Sequence, residues 1–178
     1  MKKYDYITVL GRNKIKMPPV ELQQYGPVIS VSNKSLSFEH IDYVWTRKEE
    51  ELLWFLQQRP SPVNCITTGV LYKKYVFYDQ VHSFPPISPQ FNLTLDVNTD
   101  DQILALLSAL GLCDGKILLV GFEISAPRVL KDLRSIIMLH PDIKFTFLCN
   151  PPKTKQLDYC SNAECVLFKD IGSLKNGR

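Results

Sequence analysis

The sequence predicts an α/β fold: a single-domain sandwich with a mostly parallel central sheet and helices on both faces. Three observations carry this. Short runs rich in aromatic and β-branched residues alternate with longer runs of helical spacing. One run, GKILLVGFEIS (residues 115–125), is apolar on both faces, which suits a strand inside a parallel sheet covered on both sides. The third is size: 178 residues, 45% hydrophobic and 22% charged, fit one domain with a sizeable core. Repeated strand–helix alternation then implies crossovers that return the chain to the same sheet edge.

Each element has its own signal. Tyr4–Leu10 reads as the first strand, followed by PVISVSN (Pro27–Asn33) and IDYVWTR (Ile41–Arg47). Glu49–Arg59 reads as a helix, with Leu52, Leu53 and Leu56 on one face, acids in its first turn and PSP (Pro60–Pro62) ending it. Val63–Gly69 and Lys73–Asp79 each read as short strands. His82–Phe91 carries three of the twelve prolines and reads as a stiff, extended loop. Asn98–Leu112 is a helix with Thr99 as the expected N-cap and Asp100 and Asp101 at its positive end. Its apolar positions cover most of the circumference, which predicts burial.

Pro127–Leu139 is amphipathic, with a stripe of Val129, Leu130, Leu133, Ile136 and Ile137 and Pro near its first turn. Lys144–Asn150 and Cys165–Asp170 are the last expected strands. The domain is expected to span residues 1–170, with 171–178 as a disordered tail.

The net charge of +3 is too small to argue for nucleic acid. It concentrates in residues 1–20, where Lys2, Lys3, Arg12, Lys14 and Lys16 face Asp5 alone. Five cysteines at wide spacings form no zinc set, so no metal site is expected. Buried thiols and a reducing, cytoplasmic setting are the expectation. No run has the length of a membrane span or the form of a signal peptide.

In an open parallel sheet, ligands bind beyond the carboxyl ends of the strands, where strand order reverses. The first strand ends at Gly11, where glycine permits a sharp turn or the close approach of a ligand. Arg12 and Asn13 follow at once. Asn33 and Lys34 end the second strand, Thr46 and Arg47 the third, Thr67, Thr68 and Gly69 the fourth, and Gly121 and Glu123 the core strand. These donor-rich ends suit a phosphate or a sugar. Asp100 and Asp101 disfavour an anion at the start of their own helix. Of the three histidines, His82 is the one considered as a general base, near Tyr75 and Tyr78 in sequence. No dinucleotide fingerprint, Walker loop or nucleophile elbow is present, and no cofactor is expected.

The order YITVLGRN, PVISVSN, IDYVWTR, DDQILALLSALGL, GKILLVGFEIS resembles the Rossmann-like domain of bacterial CMP-sialic-acid-dependent sialyltransferases. It is also similar to the motility-associated glycosyltransferase-like and pterin pyrophosphokinase-like proteins. The resemblance spans roughly residues 4 to 125, and the matching positions are Gly11, Asn13, Asn33, Gly121 and Glu123. The family's Gly-x-Gly-Pro-Ser loop is here Gly11-Arg12-Asn13-Lys14-Ile15, and Glu123 stands where the family usually has Asp. The lid that would carry a catalytic His is missing, because Pro127–Leu139 follows directly.

The resemblance implies a Rossmann-like fold that binds a nucleotide or nucleotide-sugar around Gly11, Arg12, Asn13 and Asn33. Arg12 or Tyr78 would stabilise the departing phosphate, and His82 would serve as base. The alternative is a non-catalytic module, such as a viral or accessory protein, that binds a protein partner or a nucleotide.

Overall fold

A computed structural model of the 178-residue chain describes residues 4–13, 19–32, 39–83, 99–149, 157 and 160–175. Among these, eight strands form one sheet: β1 (Tyr4–Leu10), β2 (Val28–Val31), β3 (Tyr43–Trp45), β4 (Asn64–Thr67), β5 (Val81–Ser83), β6 (Cys113–Val120), β7 (Lys144–Cys149) and β8 (Ala163–Leu167). The spatial order is β5-β4-β3-β2-β1-β6-β7-β8, and every neighbouring pair is parallel. This is the α/β, Rossmann-like, single-domain fold that the alternating pattern implies.

The helices are α1 (Pro19–Leu22), α2 (Glu49–Gln57), α3 (Gly69–Tyr75), α4 (Asp101–Leu112) and α5 (Pro127–Leu139). Leu22, Leu52, Phe55, Leu71 and Tyr75, from α1 to α3, pack against Leu10, Val28, Val44, Cys65 and Leu118 on one sheet face. Ile103, Leu106, Leu133 and Ile136, from α4 and α5, pack against Ile7, Val9, Ile29, Ile117 and Phe145 on the other. The chain steps from β1 to β5 in one direction, then crosses back to β6 and steps the other way. Right-handed crossovers require the helices to change face when the direction of travel reverses, and these do.

β6 lies between β1 and β7, and Ile117 through Val120 are at most 1% exposed. Its two-sided apolarity is the mark of that central position. The α4 helix is buried along nearly its whole length, from Gln102 to Ala109. Pro127 opens α5 as expected.

Four local expectations give way. Lys73–Asp79 is not a strand. The Thr68 hydroxyl accepts from Leu71 N at 3.5 Å and starts α3 instead. Leu71 and Tyr75 then share a buried face at helical spacing, and Lys73 and Lys74 take the solvent side. The N-cap of α4 is Asp100 rather than Thr99, because its carboxylate accepts from Gln102 N at 2.9 Å. The core strand ends at Val120, and Gly121 turns away with φ of 67°. Cys165 is disulfide-bonded, whereas Cys65, Cys113 and Cys160 are buried thiols.

At the other end of the described chain, a 3-10 helix spans Phe168–Lys175, and the Tyr25 hydroxyl donates to Ile171 O at 3.1 Å. Among the described residues no helix is long and apolar enough to cross a membrane. The loop residues 84–91 and the positions Asn33 and Lys34 lie outside the described residues.

Candidate functional site

The strand order reverses between β1 and β6, so the crevice to inspect is at their carboxyl ends. Gly11, Arg12 and Asn13 leave β1 there, and Gly121, Phe122 and Glu123 leave β6. The two loops are bonded to each other. Gly11 N donates to Val120 O and Asn13 N to Gly121 O, both at 2.8 Å. The Asn13 side-chain amide donates to Phe122 O at 3.1 Å.

Gly11 is required by contact rather than by backbone angle. A Cβ there would stand 2.5 Å from Gly121 O and 2.7 Å from Gln102 Oε1. The strand end that suggested a ligand's close approach is thus approached by the neighbouring loop and by a side chain from α4.

Gln102 joins these parts. Its side chain is fully buried, and Oε1 accepts from Glu123 N at 2.9 Å and from Arg12 N at 3.3 Å. Nε2 is buried with no hydrogen-bond partner among the described residues. The sequence reading missed this residue. Its one signal was a lone amide at the head of an otherwise apolar helix, DQILALL.

The cations of the rim are paired. Arg12 reaches Asp100 Oδ2 through Nη1 and Asp101 Oδ2 through Nη2, each at 3.3 Å. Arg47, just past β3, reaches Asp101 Oδ1 at 3.0 Å and Thr99 O at 3.2 Å. Two guanidinium groups thus face two carboxylates, and the cluster sums to no net charge. Arg12 is not a free anion fork. A phosphate at Arg12 competes with Asp100 and Asp101 for its terminal nitrogens.

Further along the edge, the Glu51 carboxylate accepts from the Thr46 hydroxyl at 2.9 Å and pairs with Lys48 at 3.0 Å. Burial pushes its pKa up, but hydrogen bonds from Ser32, Lys48 and Thr46 outweigh that and hold it below the usual range. Near Glu123, the Ser125 hydroxyl donates to the Glu123 carboxylate.

The remaining expected site residues are dispersed. Thr67, Thr68 and Gly69 share the carboxyl edge, but β4 is three strands from β1, about 14 Å at ordinary strand spacing. The buried Thr67 hydroxyl donates to Thr46 O at 2.7 Å, Thr68 caps α3, and Gly69 is exposed at the first position of that helix.

His82 lies in β5, at the far end of the strand order and four strands from β1. Its Nε2 faces Asn64 Oδ1 at 3.1 Å, at the amino end of β4, and burial lowers its pKa. Tyr78 sits in the turn that enters β5, where Val81 N donates to its carbonyl at 2.9 Å. That turn is at the amino edge, so Tyr78 and Arg12 lie on opposite edges of the sheet and do not act on one phosphate. The ring of Tyr78 packs 4.9 Å from that of Phe77. His40 precedes β3 and His140 precedes β7, both at amino ends. None of the three histidines therefore lies in the loops after β1 and β6.

No family model, curated protein or solved structure matches the chain. Among the described residues, no group of three or more His, Cys, Asp or Glu side chains is placed to hold a metal.

Proposed function

We propose that the chain is a glycosyltransferase-like protein that binds a nucleotide or nucleotide-sugar at the carboxyl edge of its sheet. One observation supports this above the others: the loops after β1 and β6 meet at the reversal of an all-parallel sheet, with Arg12 and Arg47 at the rim. In this reading, a phosphate takes the guanidinium groups from Asp100 and Asp101. The released carboxylates, with Glu123, then accept from ribose or sugar hydroxyls. Arg12 is the group that stabilises charge on a departing phosphate. Asn33 and Lys34, which follow β2 in sequence, lie outside the described residues and enter this reading as the ligand contacts the sequence suggests.

A second reading, a non-catalytic Rossmann-like binding module of viral or accessory type, is favoured by a separate observation. His82 and Tyr78 stand away from the rim, and no other histidine replaces them. This reading keeps a nucleotide or a protein as the partner and drops the transfer chemistry. Both readings carry a cytoplasmic location, against which the disulfide at Cys165 counts.

Calorimetric titration with CMP, the other nucleoside monophosphates and a CMP-sugar tests the binding claim. Heat from one of them, abolished in Arg12→Ala, is expected. No heat from any, with the fold intact by circular dichroism, removes it. Hydrolysis or transfer of the sugar by the wild type separates the first reading from the second.

A further inference from the structure

We infer that Gln102 is a ligand-reading residue of this crevice, and that its spare amide hydrogens donate to an uncharged acceptor oxygen, a base carbonyl or a sugar hydroxyl. The inference rests on the nucleotide reading above and names which part of the ligand meets α4.

The orientation of the carboxamide is fixed by its neighbours. Oε1 takes two backbone N–H groups, from Arg12 and Glu123, so the oxygen and nitrogen cannot exchange places without setting donors against donors. Nε2 is thereby committed as a donor of two hydrogens and has no partner among the described residues, in a side chain with no exposed surface. An unpaired buried donor costs about 1–3 kcal/mol, and such a group in a native fold calls for a reason.

The position supplies the reason. The carboxamide lies between the two loops of the switch point, and Gly11 lacks the Cβ that would collide with it. The chemical class follows from the charges. Asp100 and Asp101 flank the same helix start and are matched by Arg12 and Arg47. A neutral amide donor beside a charge-balanced cluster and the Glu123 carboxylate favours a neutral acceptor over an anion, whereas phosphate is the business of the arginines. Because the amide is buried, the ligand group has to enter between the loops that Gln102 joins.

The test is nuclear magnetic resonance of the isotope-labelled wild type, following the assigned Gln102 side-chain amide signals. Three probes are added separately: cytidine, CMP and inorganic phosphate. The expected result is a shift of those signals with cytidine and with CMP, and none with phosphate. Shifts at Arg12 and Glu123 with CMP but none at the Gln102 amide overturn the inference and leave the nucleotide reading standing. A Gln102 shift produced by phosphate alone also overturns it. Silence of the whole spectrum with every probe ends both. As a second arm, Gln102→Glu keeps an acceptor for both backbone amides and loses the spare donor, and cytidine binding is expected to weaken by about tenfold. Unchanged binding contradicts the inference, and if that variant does not fold the wild-type spectra decide.

Discussion

A Cβ on Gly11 would stand 2.5 Å from the carbonyl oxygen of Gly121. The loops after β1 and β6 are therefore packed backbone against backbone at the point where the sheet reverses its order.

Gly11→Ala forces that contact apart and also presses on the Gln102 oxygen, which is no flexible outer tip but an acceptor of two backbone amides. The expected loss is about 1–3 kcal/mol, in line with overpacking of a filled site. Urea unfolding measures it. An unchanged midpoint contradicts the contact.

Thr67→Val separates a structural from a ligand-binding role for a residue the sequence placed at the site. The buried hydroxyl donates to Thr46 O at 2.7 Å. Its loss is expected to cost about 1 kcal/mol and to leave nucleotide affinity where it was. A large fall in affinity with unchanged stability assigns Thr67 to the ligand after all.

Asp101→Asn removes the carboxylate that Arg12 and Arg47 share. These pairs are partly exposed, so stability changes by less than about 1 kcal/mol. Anion affinity moves further. Inorganic phosphate and CMP are expected to bind several-fold more tightly at low salt, with the gain shrinking as salt rises. Equal affinity in the two proteins shows that the guanidinium groups are not the anion's contacts.

Acid is expected to weaken the fold through His82. Burial sets its pKa below 6.5 in the folded chain, so the unfolded chain holds more protons between the two values. Stability is then full above about pH 6.5 and is lost as the pH falls through the lower folded value. His140 is shifted the same way by burial and adds to the slope. Urea midpoints for wild type and His82→Gln, taken from pH 7 downward, check this, and a slope that the substitution leaves untouched contradicts it.

The large-scale pattern was legible because burial writes itself into composition. β6 reads as a central strand because Ile117–Val120 is apolar on both faces, and α5 reads as amphipathic because Leu133 and Ile136 recur at helical spacing. Short elements were harder. Tyr75, Val76 and Phe77 suggest a strand by propensity, yet a single threonine cap and the Leu71–Tyr75 pair decide for helix. The site was half legible for a related reason. Strand ends can be found from sequence, and Gly11, Arg12, Gly121 and Glu123 do follow the carboxyl ends of β1 and β6. Which ends are neighbours depends on strand order. That is why Thr67 and His82 were grouped with a crevice several strands away. The pairing of Arg12 with Asp100 and Asp101 joins residues about ninety positions apart, and no local pattern announces it.

The position of β1 between β2 and β6 has a consequence for biosynthesis. Of the eight strands of the sheet, β1 is made first; it gains one flank early, from β2, and waits for its other flank until Cys113–Val120 has been made. Until then the nascent half-sheet carries an open parallel border at what becomes the middle of the finished protein. Translation that stalls before β6 leaves that unpaired border of β1 exposed to strand pairing with another chain.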